Sequence, residues 1–265
     1  MLEYVYGTEE RIFVNTVIGC HAKCSYCYLP SLLDGQKDNQ MRASEVIARV
    51  NNMPEFKPGK NHTIISLGCY SECLFPRNID NTLEVIEYFC KTNNYIQLAT
   101  KQKIDENICK QFTLFKKYQN QINVYISMPT ISSVAEIEQG TASIRERISS
   151  IQICKQYGIN VILYIKPFLG KLTAVDINKY IDLVRQYDIP IVVGGYLSNK
   201  ATDVIAQVGE NMLYEECISE EMMDFIAKLS RYTKVYFHST DVIEQMREKE
   251  KEDGATKQSN CDSVK

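Results

Sequence analysis

Short apolar runs alternate along the chain with longer stretches in which apolar residues recur every three or four positions. The run Ile12-Phe13-Val14-Asn15-Thr16-Val17-Ile18 predicts a first strand. Helical spacing follows at Ala43, Val46, Ile47 and Val50, then a second strand over 62–67 runs into Gly68. A helix over 81–91 puts Leu83, Ile86 and Phe89 or Cys90 on one face, and a strand over 95–99 ends at Thr100-Lys101. Ile104, Ile108, Phe112 and Phe115 mark the next helix, and a strand over 122–126 ends at Ser127.

The second half repeats the alternation. Ser143 with Glu146 three residues on reads as a capping box, opening a helix with Ile144, Ile148, Ile151 and Cys154 or Tyr157 as its apolar stripe. A strand over 160–165 ends at Lys166-Pro167. Thr173 with Asp176 predicts another helix start, with Ile177, Ile181 and Val184 on one face. A strand over 189–193, a helix opened by Ser219 and a strand over 234–237 complete the pattern. Strands alternating with helices imply a parallel sheet with helices outside, and strands this apolar fit burial on both faces. The expectation is an α/β fold, an open partial (β/α) barrel of about six to seven parallel strands over residues 1–240. Residues 241–265, including the charged run from Arg247 to Asp253, read as a solvated helix end running into disorder. No G-x-G-x-x-G follows the first strand and no P-loop occurs, so a dinucleotide or nucleoside-triphosphate fold has no motif to support it.

Composition adds limits. The chain has 265 residues with 30 Lys and Arg against 33 Asp and Glu, a net charge of −3, which argues against a broad nucleic-acid surface but leaves a local basic groove open. Lys166, Lys171, Arg185 and Lys200 stand near strand ends without forming a stripe, and Tyr70, Phe75, Phe168 and Tyr196 are candidate stacking surfaces. The first ten residues show no signal-peptide pattern and no apolar run approaches membrane-spanning length, so a cytoplasmic protein without membrane partners is expected. The ten cysteines are too sparse for a secreted disulfide scaffold and read as reduced thiols, Cys261 as an exposed one.

Three of those cysteines carry the chemistry. Cys20, Cys24 and Cys27 stand as C-x3-C-x2-C in a loop after the first strand. Four thiolates close an iron–sulfur cube, so three leave one iron with an open position. A zinc site is the alternative, although zinc favours paired C-x2-C hooks and four ligands. The triplet is the signature of the radical S-adenosylmethionine superfamily. Asn15, Gly19-Cys20, Cys24 and Tyr26-Cys27-Tyr28 resemble its spore photoproduct lyase-like branch. So do Gly68-Cys69-Tyr70-Ser71-Glu72-Cys73-Leu74-Phe75-Pro76, Thr100-Lys101, Ser127, and Ile137-Glu138-Gln139-Gly140-Thr141 leading to Arg145 and Arg147.

The resemblance implies a 4Fe-4S cluster on Cys20, Cys24 and Cys27, with S-adenosylmethionine chelating the open iron. Reductive cleavage of the sulfonium would yield a radical that takes a hydrogen atom from a substrate. It implies further that Tyr26 and Tyr28 pack against cluster and adenine, that Ser71 bonds the methionyl amino group, and that Lys101 pairs with its carboxylate. Ser127 and Arg147 would complete the cofactor site. Cys69, two residues before Ser71, matches the cysteine that returns a hydrogen atom to the product radical in spore photoproduct lyase. An electron donor such as flavodoxin or ferredoxin is implied. The substrate is unassigned; DNA photoproduct (thymine dimer) repair is one alternative, not favoured by the acidic charge, and a non-catalytic zinc or iron–sulfur binding module is another.

Overall fold

A computed structural model describes residues 2–33, 39–198, 204–207 and 215–262; within these, side chains are described except at 197–198, 204–207, 215–217 and 253–262. Lys200 therefore lies outside the described residues, and so does the thiol of Cys261. The strands of the main sheet are β1 (Val5–Gly7), β2 (Arg11–Val14), β3 (Ile64–Leu67), β4 (Ile96–Thr100), β5 (Ile122–Ser127), β6 (Asn160–Ile165), β7 (Ile191–Val193) and β8 (Val235–Tyr236), side by side in that order. Strands β2 to β8 run parallel, and only the edge strand β1 is antiparallel to its neighbour. The helices are α1 (Ala43–Asn51), α2 (Ile79–Lys91), α3 (Glu106–Phe115), α4 (Ile144–Gln156), α5 (Ile177–Tyr187), α6 (Glu220–Leu229) and α7 (Ser239–Asp262). The expected open parallel α/β architecture is present.

Alternation within each strand separates two environments. Ile12, Val14, Ile65, Leu67, Ile96, Leu98, Val124, Leu163 and Val193 point outward into the main core with the helices. The inner face is more polar: Phe13, Ser66, Gln97, Asn123 and Asn160 occupy one register row across β2 to β6. Ser66 donates to Gln97 at 3.0 Å and Asn160 to Asn123 at 2.7 Å, which satisfies these polar groups inside the barrel.

Several local expectations change. The first apolar run breaks after Val14, and Val17–Ile18 pairs instead with Asn39–Gln40. The Asn15 backbone N–H carries the pairing with the β1 side one step further, to the Tyr4 carbonyl, and its side chain accepts from the Tyr70 amide at 2.9 Å. The capping box at Ser143 is present, but α4 buries Arg147, Ser150, Ile151 and Cys154, while Ile144 and Ile148 are half-buried. Thr173 and Asp176 do not form one helix start. Lys171–Ala174 is a short turn of helix, and the Asp176 carboxylate accepts from Thr130, the Ile131 amide and Ser132 before α5 begins.

Helix α7 closes the floor of the barrel. Val242 packs with Tyr125, Ile162 and Val192, and Ile243 packs with Ile64 and Tyr95. Tyr125 donates to the Ser239 carbonyl at 2.7 Å. Arg247, read from sequence as part of a solvated run, is buried: it donates to the His62 carbonyl at 2.5 Å and lies 5.3 Å from the Tyr95 ring centroid. Among the described residues no helix is long and apolar enough to cross a membrane. If α7 is part of the barrel's core, Ile243→Ala lowers the unfolding free energy by about 2–5 kcal/mol in urea titrations, whereas an exposed helix end would give no measurable change.

Candidate active site

The C-terminal ends of the parallel strands open into one cavity of about 240 Å³. The cysteine loop forms one wall. It is anchored by an antiparallel pair, Lys23–Cys24 against Glu138–Gln139, by the Ser25 amide donating to the Ile137 carbonyl at 2.9 Å, and by an internal bond from the Cys27 amide to the Cys24 carbonyl at 3.1 Å. Behind it lies a fully buried ion pair, Arg147 Nη1 to Glu138 Oε2 at 2.6 Å. The other Glu138 oxygen accepts from the Tyr26 hydroxyl. Arg147 also donates to the carbonyls of Ser127 at 2.8 Å and Ala142 at 3.0 Å, and to Thr141 Oγ1 at 2.6 Å. Strand β5, helix α4 and the cysteine loop thus share one guanidinium.

The loop after β3 forms a second wall. Gly68 has φ +91°, and a Cβ there would meet the Ala99 carbonyl oxygen at 2.5 Å, so only glycine lets this turn pass so close to β4. Glu72 reaches across to the end of β4, accepting from Thr100 Oγ1 at 2.6 Å, the Lys101 amide at 2.8 Å and the Leu74 amide at 3.3 Å. Burial pushes its carboxyl above the ordinary range, against the pull of those bonds and of Lys101. The Gly19 amide donates to the Tyr70 carbonyl at 3.0 Å, joining this loop to the one that carries Cys20.

Cys20, Cys24, Cys27, Tyr26, Tyr28, Cys69, Ser71, Lys101 and Ser127 all line the cavity. Arg147, expected at the cofactor site, is not among the residues lining the cavity: every nitrogen of its guanidinium is bonded to protein behind the wall. Lys101 Nζ lies 5.8 Å from the Tyr26 ring centroid, and Ser71 Oγ accepts from Asn78 at 3.3 Å. Cys69 Sγ sits 2.9 Å from the Tyr6 hydroxyl and 3.9 Å from that of Tyr28. Burial raises the Cys69 thiol, so it stays protonated at neutral pH. Tyr28 is raised in turn, first by the charge Cys69 would carry and then by burial.

Sequence reasoning passed over Glu72, Glu138, Tyr6, Arg11 and Ser66. Glu72 and Glu138 stood inside the matched segments without a role; Tyr6 and Arg11 had no motif around them. Of the four aromatic residues expected as stacking surfaces, Tyr196 lines the cavity, whereas Tyr70 stacks on Tyr6 at 5.2 Å, Phe168 packs on Phe225 and Phe75 meets His21 edge-on. Lys166 lines the cavity, and Arg185 lies against Tyr232 on α5's side of the sheet.

The donor set fits a cluster with an open corner. Three half-buried thiols face one cavity, and the buried Ser127 hydroxyl there has no protein partner. Burial pushes Cys24 up to about 11, with Lys101 pulling it down, so the thiolate needed for ligation depends on the charge of the metal. Among the described residues no three His, Cys, Asp or Glu side chains are gathered as one ion requires.

No protein-family profile and no curated protein matches the chain. Solved structures do. Spore photoproduct lyase complexed with dinucleoside spore photoproduct superposes with a TM-score of 0.65 at 13% identity, covering 86% of this chain and 76% of the other. A double mutant of that lyase with bound AdoMet and the same photoproduct gives 0.62 at 13% identity, covering 84% and 75%. Streptococcus suis SuiB bound to precursor peptide SuiA gives 0.57 at 15% identity over 91% of this chain and 52% of SuiB. The chain has the partial-barrel fold of these radical S-adenosylmethionine enzymes.

Two outcomes follow from the buried charges. Arg147→Met strands Glu138 in the interior and costs about 3–5 kcal/mol in chemical denaturation; a solvated helix-face pair would cost under about 1 kcal/mol. Glu72 binds its proton more tightly folded than unfolded, so its contribution to stability falls as pH rises above the unfolded carboxylate value. Urea midpoints measured from pH 4 to 8 should therefore decline for the native protein relative to Glu72→Gln, and parallel curves would refute the raised carboxyl.

Proposed function

We propose that the chain is a radical S-adenosylmethionine enzyme of the spore photoproduct lyase-like type. The observation that carries this reading is the convergence of Cys20, Cys24 and Cys27 with Ser71, Lys101, Ser127 and Cys69 on one cavity at the strand ends of a partial barrel. When bound, a 4Fe-4S cluster and S-adenosylmethionine supply a carbon radical that takes a hydrogen atom from the substrate. Cys20, Cys24 and Cys27 hold the cluster. Ser71 and Lys101 orient the methionyl amino and carboxylate groups, and the free Ser127 hydroxyl bonds the ribose or the carboxylate. Tyr26 and Tyr28 flank the cluster and the adenine. Arg147 acts through Glu138 and Tyr26 by positioning the loop.

Cys69 returns a hydrogen atom to the product radical. Its S–H bond breaks, a C–H bond forms, and the sulfur radical is restored to thiol by one proton and one electron from a flavodoxin- or ferredoxin-type donor. Burial suits it to this work, because a hydrogen-atom donor must be a thiol and not a thiolate. Repair of a DNA photoproduct is the second reading. The pairing of Cys69 with Tyr28 on the segment that resembles the lyase favours it, and the net charge of −3 weighs against it. A zinc module lacks support from the donor arrangement, since a single ion needs its ligands gathered more closely than the described side chains are. A non-catalytic iron–sulfur module would share the three thiols and is separated from the enzyme by the cofactor-cleavage test below.

Anaerobically prepared protein should contain iron and sulfide and release 5′-deoxyadenosine from S-adenosylmethionine after dithionite reduction; Cys20→Ala should lose both. Cys69→Ala should keep cofactor cleavage within about twofold while diverting the product radical. Zinc in place of iron, or cleavage undiminished in Cys20→Ala, refutes the assignment. Equal loss of cleavage in Cys69→Ala refutes the hydrogen-donor role.

A further inference from the structure

Arg11 opens β2 at the end of the strand away from the cysteine loop. Alternation puts it with Phe13 on the inner face, opposite the core-packed Ile12 and Val14. Its backbone is level with Ile64, yet its Nε donates to Ser66 Oγ, two residues further along β3, at 2.7 Å. The side chain therefore rises along the barrel interior towards the cavity. Its guanidinium carbon lies 4.3 Å from the Phe13 ring centroid. Ser66 donates its own hydroxyl to Gln97, so its oxygen is oriented to accept from Arg11. Arg11, Phe13 and Ser66 all line the cavity, together with Tyr164 and Lys166 from the β6 side.

Among the described residues, no carboxylate forms an ion pair with Arg11, although Lys57, Lys60, Arg147, Lys179 and Arg247 are all paired. Arginine stays charged at any accessible pH, and a half-buried charge without a partner is costly. The Phe13 face offsets only part of that cost. The bond to Ser66 uses Nε and leaves the two terminal nitrogens, a planar fork that matches two oxygens of a carboxylate or a phosphate.

We propose that Arg11 is the substrate anchor of this cavity, binding an oxyanion (carboxylate or phosphate) carried by the substrate. The proposal rests on the reading of the cavity as the enzyme's substrate chamber. The methionyl carboxylate is assigned to Lys101 at the end of β4, beside the cysteine loop, which leaves Arg11 on the β2 side of the cavity for a second oxyanion. Arg11 and Cys69 line the same cavity, so a substrate held by the guanidinium shares that space with the thiol.

The aromatic lining makes benzoate and phenyl phosphate suitable probes, with benzamide as the neutral isostere. Calorimetric titration of the anaerobically reconstituted protein, in the presence of S-adenosylmethionine, should show at least one anion binding roughly tenfold or more tighter than benzamide. The tighter anion identifies the source, carboxylate or phosphate. Arg11→Gln should lose about tenfold in anion affinity and leave benzamide unchanged, and Arg11→Lys, which keeps the charge without the fork, should fall between. Equal binding of benzamide and both anions, no anion binding, or undiminished anion binding in Arg11→Gln each overturns the anchor. Should Arg11→Gln fail to fold, the benzamide comparison and Arg11→Lys still decide it. Release of 5′-deoxyadenosine, measured on the same samples, decides the radical assignment separately.

Discussion

The arrangement of this cavity depends on one buried ion pair. A loop carrying three cysteines has little means of holding its own shape, because it is short, half-exposed and made largely of polar residues. Here it borrows rigidity from Glu138, which binds Tyr26 with one oxygen and Arg147 with the other. Arg147 in turn takes the Ser127 carbonyl, so the position of the loop is set against the end of β5. A buried ion pair is weak evidence for stability, since well-packed apolar residues often do as well. What it supplies is direction: a guanidinium with several fixed bonds admits one geometry, and an apolar plug admits many.

The barrel interior follows a different logic from its exterior. Outward residues are Ile, Val and Leu packed against helices, which makes the sheet stable without regard to what it encloses. Inward residues are mixed, and their polar groups pair along the register rows. Helix α7 seals the lower end with Val242 and Ile243, leaving the upper half as the cavity. A chamber closed below by α7 and open at the strand ends can exclude water once its mouth is filled, as the proposed chemistry would require.

Much of this was legible in the chain. Alternating strands and helices revealed the parallel sheet because each element is long enough to show its period. The cysteine triplet, Ser71, Lys101, Ser127 and Cys69 could be expected together because local spacing ties them to strand ends, and strand ends converge on the cavity they line. Arg147 lies on the expected helix, but its guanidinium is turned to Glu138, Ser127, Ala142 and Thr141 behind the cavity wall. Spacing says which residues share a helix face, not which face meets the sheet, and the Ile144–Ile148 stripe suggested another rotation. Tyr6, Glu72 and Glu138 were missed because their partners are distant in sequence: Tyr6 lies 63 positions from Cys69 and Glu138 lies 112 from Tyr26. Arg11 left a faint signal. In Arg11-Ile12-Phe13-Val14 the period of two already assigns Arg11 and Phe13 to one face, but the strand read from Ile12 onward excluded it.

Arg11 also shows what net charge does and does not constrain. A sum of −3 over 265 residues bears on extended surfaces, where many phosphates would have to be met at once. It says nothing about a cavity, where low-dielectric walls let a few fixed charges dominate. Around this cavity stand Arg11, Lys101 and Lys166, while its carboxylate, Glu72, is held towards its neutral form by burial. An acidic protein thus encloses a chamber biased towards anions. The cations divide by position: Lys101 stands beside the cysteine loop at the end of β4, and the Arg11 side chain enters from the β2 side. On the proposed reading, two anchors in one cavity would fix the distance between reagent and target, and that distance, more than the affinity of either, decides which bond is within reach.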